Sequence, residues 1–170
     1  LQFISISKTP LNTPINHNTI SQKHQQGLKP IVTKLLHQGL LRQAHSPYNT
    51  PILPIKKPNG SYRLVQDLRL INVAVIPTHP VVPNPYILFS FFFTDFNDAF
   101  FTIALHPDSQ DLFSFTWTDP DNHRSQQLTG TVLPQGSPES PHFFGQALTS
   151  DLTSLDLTPS TVLQYVDDLL

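Results

Sequence analysis

The chain has 170 residues, 38% of them hydrophobic and 13% charged, with a formal net charge of −2, which is enough for one domain with a proper core or for part of a larger one. It has no Cys, which excludes disulfides and thiolate metal sites, and its longest apolar run, residues 86–93 with one Ser, is too short to cross a bilayer. Nine of the ten Lys and Arg lie in residues 1–69 beside the acid Asp67, and eleven of the twelve acids lie in residues 70–170 beside the base Arg124. Such a split can set phosphate-binding cations opposite metal-binding carboxylates, or it can simply solubilise two faces.

Residues 1–19 have no clear period and read as an extended lead-in. In residues 21–38, Leu28, Ile31, Val32, Leu35 and Leu36 fall at helical spacing, with Ser21 as the expected N-cap and Gly39 as the stop. Pro30 is expected to kink or restart this helix. Its lysines, Lys23, Lys29 and Lys34, read more readily as a solvated face than as nucleic-acid contacts. Two strand-like runs, residues 52–57 and 61–67, flank Pro58-Asn59-Gly60. Asn-Gly between strands is a hairpin signal, because both central residues of a tight turn favour positive φ. Lys57 and Arg63 lie close to the tip of that ribbon, where two cations suit a triphosphate or a nucleic-acid backbone.

Residues 70–85 carry four prolines and read as a stiff, extended passage between subdomains. Phe91-Phe92-Phe93-Thr94-Asp95 predicts an apolar strand ending in an acid, which alone reads best as a cap on the next turn. Further strands are expected at residues 102–105, 112–117 and 126–132, with a turn at 119–122. A loop opens at Leu133-Pro134-Gln135-Gly136, and residues 140–155 form a packing helix with Phe143, Phe144, Ala147, Leu148, Leu152 and Leu155 on one face. The eight His are scattered, so a zinc site is not expected.

The last strand, residues 161–165, leads into Asp167-Asp168. Adjacent aspartates raise one another's pKa, and a divalent cation resolves the repulsion; hard oxygen ligands suit Mg²⁺. An isolated Asp-Asp reads more readily as a solvated turn. Corroboration has to come from elsewhere in the chain.

It comes from the order of motifs. Leu35-Leu36-His37-Gln38-Gly39, Ser46-Pro47-Tyr48-Asn49-Thr50-Pro51, Tyr62-Arg63-Leu64-Val65-Gln66-Asp67-Leu68-Arg69, Val82-Pro83-Asn84-Pro85-Tyr86, Asp98-Ala99-Phe100-Phe101, Leu133-Pro134-Gln135-Gly136 and Tyr165-Val166-Asp167-Asp168 together closely resemble the fingers and palm of a gammaretroviral, murine-leukaemia-virus-like reverse transcriptase of the kind found in endogenous retroviral pol genes. The resemblance implies an α+β fold, a right-hand polymerase with fingers (residues 1–80) and an incomplete palm (residues 81–170), built from antiparallel sheet and packing helices.

It also implies RNA-directed DNA synthesis by two Mg²⁺ ions, with Mn²⁺ as a substitute, on an RNA or DNA template-primer with deoxynucleoside triphosphates. By motif position the metal ligands and catalytic residues are Asp95, Asp167 and Asp168. Lys57 and Arg63 match the residues that hold the triphosphate. Asp98, Ala99 and Phe100 line the nucleotide, Phe100 being the aromatic that excludes a ribose 2′-hydroxyl, and Gln135 lies beside nucleotide and template. Lys56 and Arg69 are the expected nucleic-acid contacts.

The chain departs from the family at Asn97, Ser137 and Val73, and at Ser90, which runs straight into Phe91. The absence of Met and the end two residues after Asp168 lead us to expect a piece of a longer protein with little or no polymerase activity by itself. A non-catalytic nucleic-acid-binding remnant using Lys56, Lys57, Arg63 and Arg69 is the competing expectation, and a decayed reading frame that does not fold stably is the third. A soluble intracellular setting without a membrane partner is the default.

Overall fold

A computed structural model of the chain describes residues 4–5, 20–76, 94–95, 99–154, 164–165 and 168–169. The architecture is α+β. In chain order it comprises α1 (Gln22–His37), β1 (Leu41–Gln43), β2 (Ile52–Lys56), β3 (Tyr62–Gln66), α2 (Arg69–Ala74), β4 (Thr94–Asp95), α3 (Pro107–Gln110), β5 (Phe115–Thr118), β6 (Ser125–Gly130), α4 (Glu139–Thr153), β7 (Gln164–Tyr165) and β8 (Asp168–Leu169). Among the described residues, no helix is long and apolar enough to cross a membrane.

Helix α1 begins and ends where its sequence signals lie. Ser21 holds the N-cap position in extended backbone, yet its hydroxyl does not cap the helix; it meets His24 Nδ1 at 3.0 Å instead. At the other end Gly39 adopts φ +71, Gly39 N–H donates to the Leu36 carbonyl (3.1 Å) and Leu40 N–H to the Leu35 carbonyl (2.9 Å). These paired bonds are a Schellman closure, which needs the left-handed backbone glycine allows. Pro30 does not end or restart the helix, which runs on to His37. Its ring lies at an exposed position, and the lost donor is confined to one turn.

Strands β2 and β3 pair antiparallel from Ile52↔Gln66 to Lys56↔Tyr62. The turn differs from the expected two-residue form. Gly60 alone takes positive φ, +84, closing a bond from its N–H to the Lys57 carbonyl at 2.9 Å, while Lys57 N–H donates to the Ser61 carbonyl at 2.7 Å. The result is a three-residue loop with a bulge glycine, in which Pro58 takes a turn position that suits its fixed φ.

A second sheet has the order β1-β6-β5, with Leu41↔Gly130 and Phe115↔Leu128 in register. Helix α1, the inner face of the β2–β3 hairpin and this sheet enclose one core: Leu28, Val32, Leu41, Ile52, Phe115, Trp117 and Leu128, with Tyr62 and Leu64 against them. The other core gathers Ile4, Leu68, Ile71, Val75, Leu105, Leu112, Phe113 and Leu133. Ile4 is pinned there by its N–H to Ser109 Oγ (3.0 Å).

Three expectations are corrected. The passage after residue 69 begins as helix α2, so only its later part, residues 77–85, lies outside the described residues. Residues 99–102 form a 3₁₀ turn, and the run reaches strand-like pairing only after it, where Ala104 bridges to Val132 and Leu105 N–H donates to the Thr131 carbonyl (2.9 Å). Residues 111–113 form a second 3₁₀ turn, so the following strand starts at Phe115. The cause lies between them: Pro107 opens α3 with a preset φ, and the His106 ring accepts from Asp108 N–H (3.3 Å), turning a strand-like run into helical turns.

Candidate functional site

Three short strands carry the acidic motif. β4 pairs antiparallel with β8, placing Asp95 directly opposite Asp168, and β7 pairs with β8, placing Tyr165 opposite Asp168. Opposite residues of an antiparallel pair have Cα atoms about 4.5–5.5 Å apart. Two acidic residues separated by more than seventy positions in sequence are thus neighbours across one ladder. Asp167 and Asp98 lie outside the described residues.

The cationic hairpin meets the glutamine loop. Arg63 Nη2 donates to Gln135 Oε1 at 2.5 Å, so two residues expected beside a nucleotide are in direct contact. Gln135 precedes Gly136, whose φ is +92 and whose carbonyl accepts from Asn72 Nδ2 at 3.0 Å. Asn72 Oδ1 is buried and meets no partner among the described residues. Below this loop Ser140 Oγ donates to the Pro134 carbonyl (2.7 Å), tying α4 to it. The loop is therefore held from β3, α2 and α4 at once.

Lys56 and Lys57 stand exposed at the hairpin tip. Phe100 is half-buried and meets Phe144 edge-on, with ring centroids 5.9 Å apart. Ala99 opens the 3₁₀ turn that carries it. Arg69 is exposed but engaged: its Nε and Nη2 donate to the Asp67 carboxylate at 2.8 and 2.6 Å. Those bonds hold the Asp67 carboxyl below its usual range and strengthen the hold of Arg69 on its proton. Lys29 spans Asp119 (3.0 Å) and Asp121 (2.5 Å), so it ties α1 to the β5–β6 turn.

Asn72 was not singled out by sequence reasoning, nor was the Arg63–Gln135 contact. Their partners lie 64 and 72 positions away, and no local signal marks a pairing at that distance.

The family described as reverse transcriptase (RNA-dependent DNA polymerase) matches residues 55–170. The Pol polyprotein of feline endogenous virus ECE1 is 44% identical over 179 residues, covering 99% of this chain and 17% of that protein. The Gag-Pol polyproteins of feline leukemia virus and koala retrovirus are each 48% identical, over 171 and 162 residues, covering 93% and 89% of this chain and 10% of each relative. Among solved structures, a prototype foamy virus protease-reverse transcriptase is similar with TM-score 0.72 and 29% identity, over 88% of this chain and 20% of that one. A foamy viral protease-reverse transcriptase in complex with double-stranded DNA gives TM-score 0.68 at 29% identity, over 88% of this chain and 25% of that one. The chain spans less than a fifth of the length of these curated relatives. With its acidic ladder, its cationic hairpin and these matches, the chain belongs to the reverse transcriptase (RNA-dependent DNA polymerase) family, with gammaretroviral Pol proteins among its relatives.

Proposed function

We propose that this chain supplies the fingers and part of the palm of an RNA-directed DNA polymerase, with Asp95, Asp167 and Asp168 as ligands for divalent cations. The observation that carries this reading is the register that sets Asp95 opposite Asp168. Like charges so close need a counter-charge, and an all-carboxylate donor set fits a hard cation such as Mg²⁺ or Mn²⁺. Among the described residues no three His, Cys, Asp or Glu side chains cluster, so the reading depends on Asp167 completing the set. Bound there, the cations supply charge neutralisation at the primer hydroxyl and at the leaving pyrophosphate.

The chain's own residues position the substrate in this reading. Lys57 and Arg63 receive the triphosphate of the incoming deoxynucleotide, and Gln135 holds the Arg63 guanidinium in place for it. Asp98, Ala99 and Phe100 line the sugar side. Lys56 takes the template-primer backbone; Arg69 does so by way of a guanidinium already oriented by Asp67. The division into residues 1–80 as fingers and 81–170 as partial palm belongs to the same proposal, with β5 and β6 packed on the fingers side.

The test is Mn²⁺ binding followed by the relaxation of water protons. The full chain should bind Mn²⁺, and Asp168→Asn and Asp95→Asn should each weaken binding by about tenfold or more, about 1.4 kcal/mol for each tenfold. Equal affinity in both variants would sink the metal reading. A primer-extension assay run beside it should show little or no synthesis by the chain alone. A second reading, a non-catalytic nucleic-acid-binding module, draws on the exposed cations of the hairpin. It would be favoured by duplex binding that is steeply salt-dependent yet indifferent to both aspartate variants.

A further inference from the structure

The cationic hairpin carries a chemical feature that nucleotide binding does not use. Of the nine Asn in the chain, Asn59 alone is followed by Gly, and this pair sits at the exposed tip between Lys57 and Arg63. Every other Asn precedes a residue whose side chain or ring crowds the peptide nitrogen that follows it. Gly60 has no Cβ to crowd that nitrogen, and apart from its chain neighbours nothing lies within 4 Å of where one would stand.

The Asn59 carboxamide is also held and polarised. Its Oδ1 accepts from Ser61 N–H at 3.1 Å and from Ser61 Oγ at 2.7 Å. These are two donors at the oxygen where negative charge would develop if the amide carbon were attacked, the arrangement that stabilises an oxyanion. What restrains attack is the bond from Gly60 N–H to the Lys57 carbonyl, 2.9 Å long. It occupies the proton that the nucleophile must lose, and it lies at an exposed turn where such bonds open readily.

We propose that Asn59 is a self-modification site that deamidates in the folded protein and thereby lowers the charge of the hairpin tip. Hydroxide removes the Gly60 amide proton, and the Gly60 nitrogen forms a bond to Asn59 Cγ. The Cγ–Nδ2 bond then breaks and ammonia leaves with a proton from water, giving a cyclic imide. Water opens the ring at either carbonyl, yielding aspartate or isoaspartate. The net change is consumption of one water and release of one ammonia, with no oxidant or reductant. The product places a carboxylate two residues from Lys57 on the exposed tip of the ribbon that also carries Arg63, where it weakens the attraction of the tip for phosphate. The isoaspartate form adds a backbone carbon to a loop closed by the 2.7 Å bond between Lys57 N–H and the Ser61 carbonyl. The chemistry stands on the turn alone; its effect on binding rests on the polymerase reading above.

The test incubates the full chain at mildly alkaline pH and physiological temperature, then maps its peptides by mass spectrometry. The expected result is the mass gain of an amide-to-acid conversion confined to the peptide holding Asn59, at a rate proportional to hydroxide and slowed several-fold in Ser61→Ala. Asn59→Gln should abolish it while leaving the circular dichroism spectrum unchanged. An intact Asn59, or conversion first at another Asn, overturns the proposal. Unchanged or faster conversion in Ser61→Ala overturns the oxyanion role of Ser61. Binding of a labelled primer-template duplex is measured in parallel on the converted chain and on Asn59→Asp. Both should bind several-fold more weakly with a shallower salt dependence. Conversion with undiminished duplex affinity overturns the binding role of the hairpin and leaves the modification standing.

Discussion

Gly27 lies within α1, where helix propensity alone says that Ala is better by about 1 kcal/mol. Packing says the opposite. A Cβ at Gly27 would fall 2.3 Å from Cδ2 and Cε2 of Tyr62 and 2.9 Å from Cζ, distances no real contact tolerates. The ring cannot swing away freely, because it is half-buried against the α1 core and meets His24 edge-on at 5.9 Å. Forcing a methyl into such a site costs about 1–3 kcal/mol, and more where a ring and a helix backbone must both yield. Gly27→Ala should therefore destabilise the chain by a net 1–2 kcal/mol or so, lowering Tm by roughly 2–8 °C at about 2–4 °C per kcal/mol for a domain of this size. In a Tyr62→Ala background the obstacle is gone, and the same substitution should raise Tm by about 2–4 °C as propensity dictates. Thermal melts of the four proteins of this cycle, followed by circular dichroism, give both signs directly. A Gly27→Ala chain more stable than its parent, or an equal effect in both backgrounds, would refute the claim that this glycine exists to admit the tyrosine ring.

The acid limb of stability should depend on Lys29. Bonds from the Asp121 N–H and from Lys29 hold Asp119 below the usual carboxylate range, and Lys29 does the same to Asp121. A carboxylate depressed in the folded state stabilises above its unfolded pKa and loses that contribution as pH falls through the folded value. The parent should thus lose more stability than Lys29→Met between neutral and acidic pH, and parallel Tm-pH curves would contradict this. Phe115 is 1% exposed at the centre of the α1 core, so Phe115→Ala should cost about 3–5 kcal/mol. That is a large share of a typical 5–15 kcal/mol total, and urea titration should find the variant largely unfolded or strongly shifted.

Where sequence reading succeeded, the signal was local. Gly39 stops α1 because the residues it closes against, Leu35 and Leu36, are its near neighbours. The β2–β3 hairpin likewise needed only Asn59-Gly60 between two strand-like runs, although the turn chose a bulge glycine over a two-residue form. Where it failed, the deciding partner was distant or the competing helix was short. α2 hid inside a proline-rich stretch because Leu68 and Ile71 are drawn into a core completed by Phe113 and Leu133. The strand expected at residues 112–117 lost its first half to the turn begun by Pro107. At the candidate site, Asp95 and Asp168 were named from motif order, but composition and periodicity say nothing about which residue of β8 faces β4. Ser21 shows the subtler limit: position was legible, and the bond its hydroxyl makes was not.

The β1-β6-β5 sheet has a consequence for the order in which this protein can be made. Among the described residues Leu41–Gln43 pairs with residues 128–130, so on a ribosome that pairing must wait for roughly ninety further residues to emerge. The β2–β3 hairpin and α1 can form while they are being synthesised, since their contacts are local. They would do so with Leu28, Val32 and Ile52 facing solvent where Phe115, Trp117 and Leu128 will later pack. A chain released at residue 80 would therefore present a sticky, half-built surface, and this core is completed by Phe115, Trp117 and Leu128, made well after the elements they cover.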